Sequence, residues 1–202
     1  MFVKVCGVRT PGDVAAAVEA GADAIGFVLT ESVRRLDPAE ARELAALVPP
    51  HVLTVAVTAG VPAAEAGRRA LAAGVQALQL HGDYLHEDFA EVAALPLRLL
   101  RATALRPGTD LATGAFGEEF LLLDAPVAGS GARWDLSLLD AARPRGHWLL
   151  AGGLTPANVA DAIRAARPWG VDVSSGVESS RGVKDHGLIR EFVANARGAA
   201  LA

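Results

Sequence analysis

The chain has 202 residues, 51% of them hydrophobic and 21% charged, with a mean hydropathy of +0.30. That is apolar enough to bury a sizeable core and excludes an intrinsically disordered chain. The net charge of −4 is spread along the sequence, and only Lys4 and Lys184 among the 19 basic side chains are lysines, so no nucleic-acid partner is expected. The single cysteine, Cys6, excludes an internal disulfide framework and a cysteine-rich zinc site. No uncharged stretch approaches the roughly 18 residues of a membrane span, and no basic segment leads into an apolar run at the start. A cytoplasmic protein without a membrane partner is expected. No set of His, Cys, Asp and Glu has metal-ligand spacing, and no metal is expected.

Eight short apolar runs, at 2–6, 24–29, 52–57, 75–80, 97–102, 119–124, 147–151 and 171–173, read as strands mostly apolar on both faces, as in a buried parallel sheet. Between them lie stripes of helical period, such as Val14, Ala17, Val18 and Val159, Ala162, Ile163, Ala166. Thr10-Pro11, Asp37-Pro38 and Thr155-Pro156 each pair an oxygen cap with a proline at the first helical position. Asp37 and Glu40 add the spacing of a capping box. Gly21, Gly74 and Gly170 are each expected to end a helix and lead into a strand. The fifth unit is the poorest, because 107–115 is weakly periodic and rich in Gly and Thr. Alternation throughout, without a linker, predicts one α/β domain over 1–202, a (β/α)8 barrel of the TIM type. A doubly wound open sheet usually carries Gly-x-Gly-x-x-Gly after its first strand; here 6–11 reads Cys-Gly-Val-Arg-Thr-Pro.

In a barrel the chemistry sits at the carboxyl ends of the strands. There the sequence places Cys6, Arg34 beyond the second strand, His81, Asp124, Gly152-Gly153, and Asp172 leading into Ser174-Ser175-Gly176. Cys6 taken alone is either a small buried hydrophobe or a functional thiol. Asp124 either caps the next loop or is a partly desolvated proton donor. His81 either closes its strand or faces the mouth, and Arg35 reads as solvated surface. The paired glycine and serine turns after strands seven and eight favour a phosphate site, made of closely approaching N–H groups and hydroxyls. No Gly-x-Ser-x-Gly elbow supports a serine hydrolase.

Four stretches, Lys4-Val5-Cys6-Gly7-Val8-Arg9, Gln79-Leu80-His81-Gly82-Asp83, Leu150-Ala151-Gly152-Gly153-Leu154 and Asp172-Val173-Ser174-Ser175-Gly176-Val177-Glu178, resemble the phosphoribosylanthranilate isomerases of tryptophan biosynthesis. Gly182-Val183-Lys184-Asp185 continues the match, in order and at the right strands. The resemblance implies a barrel of the ribulose-phosphate-binding type. It also implies a cofactor-independent Amadori rearrangement of a small phosphorylated sugar–anthranilate substrate. Carried over by position, the general base falls on Cys6, the general acid on Asp124 and the anthranilate-carboxylate contact on Arg34. The phosphate turns fall on Gly152, Gly153, Ser175 and Gly176, and His81 and Asp172 complete the expected substrate-binding set. Three departures fall around the aromatic end of the substrate and the loops. Val33 stands where the family commonly has Pro, Thr58-Ala59-Gly60 follow strand three without the family's Phe, and Ala128-Gly129-Ser130-Gly131 replace Gly-Gly-Thr-Gly.

The implied reaction needs a proton delivered to the furanose ring oxygen and another removed from the carbon beside the anomeric centre. A thiol with an ordinary pKa near 8.5 is only a few per cent ionised at neutral pH. Lys4, Arg34 or oriented N–H groups are the candidates to favour the thiolate. A non-catalytic phosphosugar-binding barrel would keep the glycine and serine turns but not need Cys6 and Asp124 together. A thiol redox protein lacks a resolving cysteine. A histidine-pathway isomerase, or one serving both pathways, is the nearest enzymatic alternative; the two-substrate form usually has an acid where this chain has Cys6. The sequence assigns no oligomeric state.

Overall fold

Each apolar run becomes a strand whose alternate side chains enter two different apolar layers. The computed structural model describes residues 1–124, 139 and 143–199. Its strands are β1 (Phe2–Cys6), β2 (Ala24–Val28), β3 (Leu53–Ala59), β4 (Ala77–His81), β5 (Arg98–Ala104), β6 (Phe120–Asp124), β7 (Trp148–Leu150) and β8 (Gly170–Val173). They pair in sequence order, all parallel, and β1 pairs with β8 to close the expected barrel. Among the described residues the helices are α1 (Pro11–Ala20), α2 (Pro38–Ala45), α3 (Ala63–Ala73), α4 (His86–Val92), α5 (Val159–Ala166) and α6 (His186–Ala199). A hairpin of β9 (Glu178–Ser180) and β10 (Val183–Lys184) precedes α6. No helix among the described residues is long and apolar enough to cross a membrane.

Strand periodicity sorts the core. Val3, Val5, Ile25, Phe27, Leu121 and Leu123 point outward beneath the helices. Cys6, Ala24, Val55, Leu100, Leu122 and Leu149 fill the barrel itself. The helices meet the outer layer with the stripes read from sequence: Val14 and Ala17 of α1, and Val159, Ile163 and Ala166 of α5, are buried. The valine and isoleucine side chains each contribute roughly 1.5–3 kcal/mol when fully buried.

The caps follow the sequence in the first half of the chain. Thr10 and Asp13 form a reciprocal capping box, Asp37 N–H donates to Glu40 Oε2 at 2.8 Å, and Gly21 and Gly74 end their helices in the left-handed region. Two expectations fail in the second half. Thr155-Pro156 opens a turn in which the Thr155 N–H donates to Asn158 Oδ1 (2.7 Å), and α5 begins three residues later at Val159. Gly170 is no helix cap: Arg167 ends α5 at φ 51°, and Gly170 is the first residue of β8. Its lack of a side chain is a packing requirement, since a Cβ there would lie 2.8 Å from the Phe2 carbonyl oxygen. The weak stretch 107–115 contains turns and no helix.

The amino-terminal end of the barrel is closed by rings. Phe2 stacks on Trp169 with centroids 4.6 Å apart, His147 lies 4.4 Å from Trp169, and Phe120 fills the space between, with the Arg98 guanidinium 4.7 Å above its ring.

Candidate active site

At the carboxyl ends of the strands a cavity of about 330 Å³ opens. All nine expected site residues line it: Cys6, Arg34, His81, Asp124, Gly152, Gly153, Asp172, Ser175 and Gly176. Cys6 ends β1 and Asp124 ends β6, on non-adjacent strands, so the thiol and the carboxyl reach the cavity from different sides. The His81 Nε2 lies 3.8 Å from Asp124 Oδ2.

The turns after β7 and β8 form one surface. Gly153 sits at φ 64° with open space where a side chain would be, and the Asn158 Nδ2 donates to its carbonyl at 2.9 Å. That engages the carbonyl oxygen inside the loop. Ser175 opens a short 3₁₀ turn, and a Cβ on Gly176 would lie 1.8 Å from the Leu154 carbonyl oxygen. Only glycine lets these two backbones touch. The combination of bare backbone and the Ser175 hydroxyl is suited to an anion.

Arg34 is held rather than loose. Its Nε donates to Glu178 Oε1 at 2.6 Å and its Nη2 to Oε2 at 2.8 Å, a two-point clasp. Its aliphatic part passes over Gly7, where a Cβ would come within 2.5 Å of its Cδ. Glu178 also accepts from the Gly182 N–H (3.0 Å) and from Lys184 Nζ (2.9 Å). Burial works to raise the Glu178 carboxyl, but the hydrogen bonds from Arg34, Gly182 and Lys184 outweigh it and hold it down to about 2. Arginine has five donors. With Nε and one side of Nη2 taken, Nη1 and the other side of Nη2 remain for a second carboxylate.

Below the thiol lies a buried ion pair: Lys4 Nζ donates to Asp172 Oδ1 at 2.7 Å, and Lys4 is fully buried. Burial pushes the Cys6 thiol up, and the Lys4 ammonium works against that rise.

A family model for N-(5'-phosphoribosyl)anthranilate isomerase matches residues 3–195. The chain belongs to that family. It is an isomerase on this ground. The N-(5'-phosphoribosyl)anthranilate isomerase of Dechloromonas aromatica is 44% identical over 203 residues, covering 96% of this chain and 95% of that one. A crystal structure of TrpF from Jonesia denitrificans superposes with a TM-score of 0.92 at 53% identity, covering 99% of this chain and 98% of that one. A phosphoribosyl anthranilate isomerase in complex with reduced 1-(o-carboxyphenylamino)-1-deoxyribulose 5-phosphate superposes at 0.81, with 34% identity over 98% of this chain and 99% of that one.

Sequence reasoning left Glu178, Lys184 and Asn158 without roles. Glu178 and Lys184 stand in the hairpin after β8, opposite charges six residues apart, which was a readable signal. Asn158 three residues after Thr155 was another. Of the departures from the family pattern, Val33 is exposed and Ala59 lines the cavity, where its small side chain leaves room. Ala128, Gly129, Ser130 and Gly131 lie outside the described residues.

Proposed function

We propose that this chain converts N-(5-phosphoribosyl)anthranilate to 1-(2-carboxyphenylamino)-1-deoxyribulose 5-phosphate, a step of tryptophan biosynthesis in the cytoplasm, with Cys6 as general base and Asp124 as general acid. The observation that carries the assignment is the gathering of all nine residues around one cavity, thiol and carboxyl on non-adjacent strands. The phosphate sits on the turns of Gly152, Gly153, Ser175 and Gly176. The anthranilate carboxylate meets the edge of Arg34 that Glu178 leaves open. With both ends of the substrate fixed, the ribose lies between Cys6 and Asp124. Asp124 protonates the furanose ring oxygen, and the ring opens to a protonated Schiff base. That cation acidifies the neighbouring C–H. The Cys6 thiolate takes the proton, the C–H electron pair becomes the C=C bond of an enolamine, and tautomerisation gives the ketone.

The test is the decay of substrate fluorescence with purified protein, run beside the aminoaldose of histidine biosynthesis. Turnover of the anthranilate compound alone is expected. Cys6→Ser and Asp124→Asn should each lower kcat by at least about 10²-fold, while the dissociation constant of a product analogue stays near that of the parent. The parent rate should be bell-shaped in pH, falling where Cys6 protonates and where Asp124 ionises. Tight binding without turnover in the parent would favour a binding barrel; near-normal turnover in both variants would remove the acid–base assignment.

A further inference from the structure

The assignment of Cys6 as a base leaves a difficulty in the geometry. The thiol is buried at 7% exposure, and the barrel below it is lined by Ala24, Val55, Leu100 and Leu122. Such surroundings oppose ionisation. Yet directly beneath it, on the same strand and the same face, the chain carries Lys4, fully buried inside the barrel.

Three observations tie Lys4 to the thiol. Lys4 and Asp172 are register partners across the β1–β8 seam, and the Nζ–Oδ1 hydrogen bond of 2.7 Å accounts for one of three ammonium protons. The Lys4 ammonium favours the charged form of Cys6, and the thiolate in turn favours the charged form of Lys4. The strand on the other side makes room for this. Gly26 is the β2 partner of Cys6, and a Cβ there would lie 3.1 Å from Cys6 Sγ and 3.3 Å from Lys4 Nζ. Both atoms therefore crowd against the same bare spot of β2.

We propose that Lys4 is a positioning residue acting through Cys6: its ammonium, shared with Asp172, is the counter-ion of the Cys6 thiolate. This rests on the reading of Cys6 as the base. When the thiolate takes the substrate proton, an S–H bond forms and Lys4 stays protonated, so no proton passes through it. Asp172 keeps the ammonium charged in the dry barrel while the thiol is neutral.

Stability does not explain the pair. A buried lysine and aspartate are often replaced by apolar residues of similar volume without loss. The arginine and the other lysine facing Cys6 are already committed. Arg34, from the connection after β2, is clasped by Glu178. Lys184 of β10 is bound by the Ser174 carbonyl (2.8 Å) and by Glu178. Asp124 and His81 line the cavity from β6 and β4. Lys4 is the cation whose geometry points to the sulfur.

Because Cys6 is the chain's single cysteine, the pH dependence of alkylation by iodoacetamide reads this thiol alone. The ultraviolet absorbance of the thiolate gives the same titration without a reagent. In Lys4→Met the inflection should rise by about 1–3 pH units, the usual effect of losing an opposite charge at contact distance. At neutral pH the alkylation rate and kcat should then fall at least about tenfold, with KM little changed. If the orphaned Asp172 prevents folding, Lys4→Met/Asp172→Leu removes both charges, and a smaller rise in the same direction is expected. An inflection that is unchanged or lower in a folded variant overturns the proposal, even if activity is lost. The base assignment is judged separately by Cys6→Ser. Full turnover there sinks that reading, whereas an inactive Cys6→Ser with an unmoved Lys4→Met titration sinks only the counter-ion.

Discussion

The two ends of the barrel are built from the same eight strands but to opposite specifications. At the amino-terminal end, Phe2, Phe120, His147 and Trp169 stack into a lid of rings. At the carboxyl end, glycines, a serine, a thiol and carboxyls surround open space. The difference teaches that the mouth depends on the floor. The rings pack beneath the thiol, the ammonium and the carboxylate, so these groups act on one another through an interior of low dielectric.

Strand β6 carries both specifications, and substitutions at its two ends should separate them most sharply. Phe120→Ala should lower stability by about 3–5 kcal/mol, as expected for truncating a buried phenylalanine, while kcat of the folded fraction is little changed. Asp124→Asn should do the reverse, cutting kcat by at least about 10²-fold with an unfolding midpoint near that of the parent. Urea denaturation and steady-state kinetics on both variants check the pair.

The phosphate turns come next. Gly153→Val puts a β-branched residue at φ 64° and fills the space left for an anion, so KM should rise by more than about tenfold, roughly 1.4 kcal/mol. The clasp on Arg34 should have a subtler signature. In Glu178→Gln the guanidinium loses its charged partner, and KM should rise several-fold with kcat less affected. The carboxyl sits at about 2 rather than the ordinary 4.5. A depressed carboxylate stabilises the fold fully above its unfolded pKa, and that contribution is lost as pH falls from 4.5 towards 2. The parent should therefore lose part of its thermal stability over that window, and Glu178→Gln should lack this component. Thermal scans at successive pH values read the difference. Ser175→Ala should be mildest, costing roughly 1 kcal/mol or about fivefold in KM, because one hydroxyl is lost and the backbone donors remain.

The sequence was most readable where a single local force decides the outcome. Strands such as Ala24–Val28 and Trp148–Leu150 are apolar on both faces and could only be buried. Thr10-Pro11 and Asp37-Pro38 carry their capping partners three residues on, and both helices begin there. Residues at strand ends are placed by the fold itself, which is why all nine meet at one cavity. Less was legible where a neighbour distant in sequence intervened. Gly170 looked like a helix stop, but what excludes a side chain there is Phe2, which the barrel brings alongside only when it closes. Nothing local to Arg34 announces Glu178, 144 residues later, which occupies one edge of its guanidinium. The Lys4–Asp172 contact spans 168 residues and had no local sign.

That last span has a consequence for how the protein is made. The seam between β1 and β8 is sewn by residues from the two extremes of the chain, and Arg197 of α6 fastens it further through the carbonyls of Met1 and Gly21. On a ribosome, β1 emerges first and waits for a partner nearly the whole length of synthesis. During that wait Lys4 has no aspartate beside it, and enclosing it in an unfinished barrel would strand a bare charge in hydrocarbon. Closing the barrel early is therefore costly, and the cost falls once the last strand brings the counter-charge. The thiol of Cys6 is enclosed at that same stage.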